Sequence, residues 1–390
     1  MSYPRRPNLY LSEEHVDLRT VIAKFVANKI LPNVDGWEHD RKIPPQLYED
    51  MAKAGFYSLR ASEPGEDLER KYLPTLILCE ELAKCNSLGV ALTIMVSIDY
   101  ALSLLDIYGS DFLKATFLKP ALRGKAIGAI ALTEPDCGSD LTQIKTRATK
   151  SGSHYIIRGS KSFTSNAPIS DFVTVLARTS NHGALGLSLF VVPTELAGVS
   201  IGPALNKLGL HPSATAEIFF DDCEIHDSHL LGQKGRAMQY LIPHFSLERL
   251  IVAALAIGAC EHLIEMALDY GTSRRVFSAP ILEHQVWKHR FAKCVAQLEA
   301  LRGLTYQAAY LFGIDDPSAH QFVAMAKLQG AQVAQDISRE VLQLHGAFGQ
   351  IEQSPIPRYF RDLAAFSVGA GTSEIMCEII ANGLVERISF

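Results

Sequence analysis

The sequence predicts an α+β protein that is mainly α, with an N-terminal helical domain, a middle β-barrel and a C-terminal four-helix bundle. Its hydrophobic pattern has a helical period up to about residue 125, changes to short β-branched and aromatic runs, and becomes helical again from about residue 236. A chain of 390 residues also exceeds the usual size of a single hydrophobic core. We therefore predict three domains, at residues 1–125, 126–235 and 236–390.

The N-terminal domain is predicted from three segments. The stretch SEEHVDLRTVIAKFVANKIL (12–31) repeats apolar residues at helical spacing, and Ser12 can cap its first turn. The stretches LPTLILCEELAKC (73–85) and SLGVALTIMVSIDYALSLLDIYG (87–109) are largely apolar. Helices that are apolar all round are usually buried, so we expect these two in the interior.

The middle and C-terminal domains differ in the length of their apolar segments. Short runs separated by turn-forming residues predict strands, namely HYIIRGSKSFTS (154–165), DFVTVLAR (171–178), LSLFVVP (187–193) and TAEIFFDDCEI (215–225). Longer helical segments at residues 247–275, 284–312, 317–346 and 371–384 predict the bundle. No G-x-G-x-x-G follows a strand, so a nucleotide cofactor would not be held in a Rossmann fold.

Composition limits the partners and the compartment. Thirty-seven basic and forty-two acidic residues give a net charge near −5, which argues against nucleic acid as the main partner. The longest nearly unbroken apolar run, residues 250–260, is shorter than the roughly 20 residues of a membrane span, so we predict a buried helix and no membrane partner. Seven scattered cysteines without a C-x-x-C pair favour reduced thiols and a cytoplasmic location. We predict no metal site.

Two polar turns flank the predicted strands. ALTEPDCGSD (131–140) lies where the pattern changes from helix to strand, and KSFTSN (161–166) ends a strand. Turn formation alone explains residues of these types. The alternative is a binding site in which turn N–H groups and the hydroxyls of Thr133 and Ser139 bind an electron-rich ring or a phosphate, with Phe163 stacked on the ring.

The first bundle helix opens with an acidic residue. In SLERL (246–250), Ser246 is a candidate N-cap and Glu248 falls in the first turn. Acids at this position stabilise a helix by roughly 0.3–1 kcal/mol, and most have no other role. The functional alternative places the Glu248 side chain in a cavity beside the buried helix.

Three further motifs have the same two interpretations. Arg274 and Arg275 can form a solvated helix end or clamp a pyrophosphate. The segment LQLHGAFG (342–349) can be a plain C-cap or a surface for a phosphate or adenine. In SVGAGTSEI (367–375), three small residues precede a helix start. Their small side chains would let a bound group come close to the backbone N–H groups.

The order of these motifs is specific, and from about residue 10 to 388 the chain resembles the acyl-CoA dehydrogenase family. The motifs that carry the resemblance are ALTEPDCGSD, FTSN, LGLHPSATAEIFFDDCEI, LGQKGRA, ERLIVAALAIGACE, SRRVFSAPILEHQ, LQLHGAFG, RYFRD and GAGTSEI. The resemblance implies the three-domain fold predicted above. It also implies FAD, bound partly across a dimer interface, and a homotetramer built as a dimer of dimers.

The resemblance also implies a set of binding residues. Those expected around the flavin and its phosphates are Ile130, Ala131, Leu132, Thr133, Gly138, Ser139, Phe163, Thr164 and Ser165. Those expected to reach the FAD of a neighbouring subunit are Arg274, Phe277, Gln285, Gln343, Gly346 and Ala347, and those bordering the adenosine half are Thr372 and Glu374. The expected substrate-binding residues are Ser139, Arg249, Gly369, Ala370 and Gly371.

The chain departs from the family pattern at the position of the catalytic base. Many members carry glutamate where this chain has Ala370, but members similar to isovaleryl- and long-chain acyl-CoA dehydrogenases carry it at the start of the first bundle helix. This chain has Glu248 there. Smaller departures are Ser278 and Ala347, where glycine is common, and SEPGEDLE (62–69), which replaces a glycine-rich loop.

The implied reaction is FAD-dependent α,β-dehydrogenation of an acyl thioester. Glu248 would remove the α-proton, flavin N5 would accept the β-hydride, and the N–H of Ala370 with a flavin ribityl hydroxyl would hold the thioester carbonyl. The expected partners are an acyl-CoA or acyl-carrier-protein substrate, and an electron-transfer flavoprotein or oxygen as electron acceptor. Small residues at 369 and 370 favour a branched or bulky acyl group.

Two other functions stay open from the sequence. A flavin oxidase or monooxygenase could use the same fold. A non-catalytic homologue acting as a binding subunit is favoured by the missing loop glutamate.

Overall fold

The structure, a computed structural model, describes residues 10–59 and 71–388, with side chains described up to residue 384. The predicted departure at residues 62–69 lies outside the described residues. The helices are α1 (Glu13–Phe25), α2 (Val34–Asp40), α3 (Pro45–Lys53), α4 (Leu73–Leu82), α5 (Leu88–Met95), α6 (Ser103–Tyr108), α7 (Asp111–Leu113), α8 (Lys119–Leu122), α9 (Ala237–Ser273), α10 (Gln285–Gly313), α11 (Ala319–His345), α12 (Pro355–Leu363) and α13 (Ser373–Ile388). The strands are β1 (Gly128–Ala131), β2 (Arg147–Ser151), β3 (His154–Ser165), β4 (Phe172–Arg178), β5 (Leu187–Pro193), β6 (Val199–Ile201), β7 (Thr215–His226), β8 (Leu230–Leu231), β9 (Arg275–Val276) and β10 (Ala279–Pro280).

The N-terminal region is helical, and its most apolar helices are interior, as predicted. Nearly every residue of α4 and α5 is buried. A π-helical turn, Val96–Tyr100, continues α5 towards α6. Such turns are rare and occur frequently at functional sites, which makes this segment a candidate part of one.

Two helical segments have longer apolar stretches than the 11-residue run at 250–260 predicted from the sequence. By length and composition alone, Leu88–Tyr108 and α9 could each cross a membrane. Inside the protein, 94% and 83% of their most apolar windows are buried. The run at 250–260 is therefore part of a longer apolar helix, and that helix packs in the core as predicted.

The middle region is a mixed sheet, which confirms the predicted fold class. Its strands follow the order β6-β7-β3-β2-β4-β5-β8, and β1 pairs with β4 in parallel. The inward side chains form a separate apolar core that includes Ile157, Val175, Phe190 and Ile218. This core fixes where β1 and β3 end, and both ends carry predicted site residues.

The C-terminal helices α9, α10, α11 and α13 pack against one another as a bundle. They share one hydrophobic cluster with the N-terminal helices. At the closest approach, a Cβ added to Gly258 of α9 would lie 2.1 Å from the main-chain oxygen of Glu80 on α4. The two helical regions therefore meet almost backbone to backbone where the middle of α9 crosses α4.

Candidate active site

The loop after β1 is fixed by a buried ion pair. The Nζ of Lys161, on β3, lies 2.8 Å from Oε1 of Glu134 and 2.9 Å from the main-chain oxygen of Leu132. Glu134 also accepts hydrogen bonds of 2.6 and 2.9 Å from the N–H groups of Lys145 and Thr146. Burial alone raises the pKa of the Glu134 carboxyl. The charge of Lys161 and the hydrogen bonds from these donors lower it by more, so the pKa is below its usual value. An ionised carboxylate thus holds the loop in place.

The end of β3 presents an aromatic ring to solvent. The pairing of β3 with β7 shifts register between Lys161 and Thr164, and Phe163 in this bulge has a φ of 54° and is 69% exposed. Bulges commonly turn a side chain outward in this way. The neighbouring Thr164 hydroxyl is buried and has no hydrogen-bond partner among the described residues. An exposed ring beside an orphaned hydroxyl fits a flat cofactor with polar edges, such as a flavin.

The other residues predicted around this site differ in exposure. Ile130, Leu132, Thr133 and Ser165 are half-buried, and Gly138 and Ser139 are exposed. Ala131 is buried in the core of the sheet, so its side chain points away from any ligand and only its main chain could contact one.

A polar contact joins the end of β3 to the N-terminal helices. Asn166, directly after this strand, donates to the main-chain oxygen of Thr93 at 3.0 Å and to the hydroxyl of Ser97 at 2.9 Å. One helical turn further, the hydroxyl of Tyr100 reaches the main-chain oxygen of Glu248 at 3.3 Å. The π-helical turn therefore lies between the aromatic end of β3 and the start of the bundle.

Glu248 is buried more than three turns into α9, because the helix begins at Ala237 and the predicted N-cap, Ser246, lies inside it. Only 7% of the residue is exposed, and its Oε1 lies 2.9 Å from Nε2 of His244, one turn earlier. This is the distance of an ion pair, although Nε2 is not aligned for a hydrogen bond with any described residue. Burial and the Glu248 carboxyl together raise the pKa of Tyr100. The carboxylate thus faces the protein interior rather than bulk water.

The loop at residues 369–371 packs against α9 and α11. The Nε of Arg249 donates to the main-chain oxygen of Ala370 at 3.3 Å, and Lys327 on α11 donates to that of Gly371. Both Ala370 and Gly371 have positive φ, at 54° and 94°, where an alanine is strained and a glycine is not. Gly369, on the other side, is exposed. The loop therefore keeps its shape through two cations that contact its carbonyls.

Lys327 was not predicted from the sequence as a residue of this site. It is fully buried, and burial together with Arg249 lowers its pKa to about 8. The available signal was its position on the apolar face of an amphipathic helix. After the loop, the hydroxyl of Thr372 accepts from the N–H of Ile375 at 3.3 Å and caps α13. Glu374 is exposed in the first turn.

A second group of predicted residues lies at the opposite end of the bundle. Arg274 follows Glu248 by 26 residues along α9, which is about 39 Å at 1.5 Å per residue. Near it, Tyr270 stacks on His345 with ring centroids 4.3 Å apart, which joins the ends of α9 and α11. The exposed residues of this group are Arg274, Phe277, Gln285, Gln343, Gly346 and Ala347. The structure does not bring them to the site around Glu248 within one chain.

Family models for the three domains of acyl-CoA dehydrogenases match the chain in order. The N-terminal model matches residues 12–125, the middle model 129–223 and the C-terminal model 235–385. The chain belongs to the acyl-CoA dehydrogenase family. It is therefore a flavin oxidoreductase that acts on CH–CH groups, and its cofactor is FAD. The predicted family, enzyme class and cofactor are confirmed.

Individual acyl-CoA dehydrogenases match along almost the whole chain. The long-chain specific acyl-CoA dehydrogenase, mitochondrial, of Rattus norvegicus is 32% identical over 380 residues, which are 96% of this chain and 87% of the relative. The caffeyl-CoA reductase-Etf complex subunit CarC of Acetobacterium woodii is 28% identical, over 97% of this chain and 100% of the relative. The crystal structure of acyl-CoA dehydrogenase from Geobacillus kaustophilus has a TM-score of 0.90 at 31% identity, over 97% and 100% of the two chains.

Proposed function

We propose that this acyl-CoA dehydrogenase catalyses α,β-dehydrogenation of an acyl thioester and that Glu248 is the base that removes the α-proton. The observation that supports this assignment is the burial of the Glu248 carboxylate on α9, at the level where that helix contacts a loop that carries no acid of its own. Arg249, the next residue, contacts that loop at Ala370. A carboxylate shielded from water is a stronger proton acceptor towards a weak carbon acid than one in bulk solvent.

The 369–371 loop supplies the second requirement of the reaction. Removal of an α-proton places negative charge on the thioester oxygen, and a preorganised N–H donor near that oxygen can contribute roughly 3 kcal/mol. Among the described residues, no hydrogen bond occupies the N–H of Ala370. We assign this N–H to the thioester oxygen, with Arg249 and Lys327 holding the loop. Bound FAD supplies the acceptor for the hydride that leaves the β-carbon.

A panel of acyl thioesters tests the reaction and the substrate. Under anaerobic conditions, the holoenzyme is mixed with butyryl-, isovaleryl-, octanoyl-, palmitoyl- and 3-phenylpropionyl-CoA and with a carrier-protein-bound isovaleryl group. We expect one or more to bleach the flavin absorbance and give an enoyl product, with branched or bulky groups favoured. Absence of bleaching with the whole panel, or hydroxylated product after air is admitted, would overturn the proposal.

The acceptor of the electrons is proposed to be an electron-transfer flavoprotein. The name of the Acetobacterium woodii relative places that protein in a complex with Etf, which supports this choice over oxygen. Adding oxidised electron-transfer flavoprotein to the bleached enzyme should restore its flavin absorbance without oxygen.

We propose a homotetramer in which Arg274 binds the FAD of a neighbouring subunit. Arg274 is exposed and its guanidinium has no hydrogen bond or ion pair among the described residues, and Phe277, three residues later, is 93% exposed. Arg274→Ala should therefore purify with less FAD per chain. Arg275→Ala is the matched control, because Arg275 donates within its own hairpin to the main-chain oxygen of Ser278. Sedimentation velocity of the wild type should give four chains of 42.8 kDa, and a monomer with full FAD content would contradict this arrangement.

A further inference from the structure

A cavity of about 280 Å³ lies on the far side of His244 from Glu248. It is a partly open cavity lined by the start of α4, the segment from Asp99 to Tyr108, the first turns of α9 and the end of α10. Its polar lining includes Lys71, Asp99, Ser103, Asp106 and His244. A cavity of this size and polarity has room and hydrogen-bonding groups for several water molecules.

His244 contacts both the cavity and the proposed base. Its Nδ1 lies 2.9 Å from Oγ of Ser103, which also lines the cavity, and its Nε2 lies 2.9 Å from Oε1 of Glu248. Because His244 and Glu248 are four residues apart on α9, they share one face of the helix. The imidazole thus separates the carboxylate from the cavity while touching groups on both sides.

A buried base needs a route for the proton that it takes. Glu248 is 7% exposed, and a bound thioester would cover its remaining access from the substrate side. We propose that the Ser103–His244 pair is a proton relay that connects Glu248 to water in the cavity. This inference rests on the proposed function, because it requires Glu248 to be the base.

The relay moves one proton from Glu248 to cavity water and converts the imidazole of His244 from its Nδ1–H to its Nε2–H tautomer. After proton abstraction, the O–H bond of the Glu248 carboxylic acid breaks and an N–H bond forms at Nε2 of His244. The N–H bond at Nδ1 then breaks, and its proton passes to Oγ of Ser103 as the hydroxyl gives its own proton to cavity water. An imidazole can do this because one nitrogen accepts while the other donates. Glu248 is then ionised again, and a half-turn of the imidazole about its Cβ–Cγ bond restores the starting arrangement for the next proton.

Charged and polar groups line this path. Asp99 is 1% exposed and lines the cavity together with Asp106 and Lys71. Tyr100 lies against His244 from the same helical segment as Asp99, with ring centroids 6.5 Å apart. The cavity therefore offers hydrogen-bonding groups to water beside His244.

The test compares two rates in the holoenzyme, using the acyl-CoA of the panel that bleaches the flavin fastest. One rate is flavin bleaching, and the other is uptake of solvent deuterium at the α-carbon of recovered thioester. His244→Gln should lower the ratio of uptake to bleaching about tenfold or more, because the abstracted proton returns to the substrate before it exchanges. A residue with a purely structural role would lower both rates together.

Controls and a rescue keep the inference falsifiable. His262→Gln, which removes an imidazole from the same helix far from Glu248, should leave the ratio unchanged. His244→Ala opens the cavity towards Glu248, and added imidazole should restore deuterium uptake. Ser103→Ala should give a smaller fall than His244→Gln, and it tests the relay even if the histidine variants fail to fold.

The possible outcomes separate the relay from the function on which it rests. If the wild type neither bleaches nor exchanges, the dehydrogenase proposal itself fails. If it does both, but the ratio is unchanged in His244→Gln and Ser103→Ala, or falls equally in His262→Gln, the relay is wrong and Glu248 remains the base.

Discussion

Glu248→Gln is expected to abolish dehydrogenation while leaving the enzyme yellow. The amide has nearly the volume of the carboxylate, so the packing between α9 and the Val96–Tyr100 turn should be kept. It has no basic oxygen, however, and general base catalysis typically contributes a factor of about 10²–10⁴. Ala370 provides no acid in the adjacent loop to replace it. Anaerobic flavin bleaching and α-proton exchange should therefore fall together by about 10³-fold or more.

A matched substitution on the same helix controls for loss of charge. Glu265 on α9 also has a histidine neighbour, with Oε2 at 3.9 Å from Nδ1 of His262, but it lies almost five turns from Glu248. Glu265→Gln should bleach at the wild-type rate. FAD content and melting temperature of both variants are measured beside the kinetics. Turnover retained in Glu248→Gln, with normal FAD content, would show that another group removes the proton.

The fold and the position of the base could be predicted because both depend on local signals. A change from helical to strand periodicity marks the three regions, since burial of one face imposes that period on each element. Glu248 was identified by its place at the start of an all-apolar helix and by the family pattern. Its burial follows from the same helix, because every face of α9 at this point packs against protein.

Most contacts around the site could not be predicted, because they join residues that lie far apart in the sequence. Ser103 and His244 are 141 residues apart, and Glu134 and Lys161 come from a loop and a strand that meet only in the folded sheet. Periodicity gives the face on which a residue lies but not what packs against that face. The same limit applies to Lys327, a cation on the buried face of α11 whose acceptor is a carbonyl 44 residues later.

The buried ionic cluster between the two helical regions is the least predictable feature and gives the largest expected loss of stability. Arg19 on α1 lies 2.7 Å from Glu80 and 2.8 Å from Glu81, both on α4. Arg302 on α10 contacts Glu80 and, at 2.9 Å, Glu261 on α9. The three acids are almost fully buried. The cluster thus joins four helices through charges that have little access to water.

Arg19→Met should destabilise the protein by about 3–5 kcal/mol, because removal of one partner leaves an uncompensated buried charge. Methionine keeps most of the side-chain length, so the loss is electrostatic rather than a cavity. Denaturant titration of the holoenzyme, monitored by helical circular dichroism, measures the shift. Arg339→Met is the exposed control: its ion pair with Asp336 spans 3.9 Å at the surface, and such pairs contribute about 1 kcal/mol or less.

A double substitution tests the electrostatic reason directly. Arg19→Met combined with Glu81→Gln removes one charge of each sign, so the pair should be less destabilised than the sum of the two single variants. The helices α1 and α4 would then stay packed around a neutral contact. If the two effects simply add, the loss in Arg19→Met comes from packing, and the cluster holds the helical regions together by shape rather than by charge.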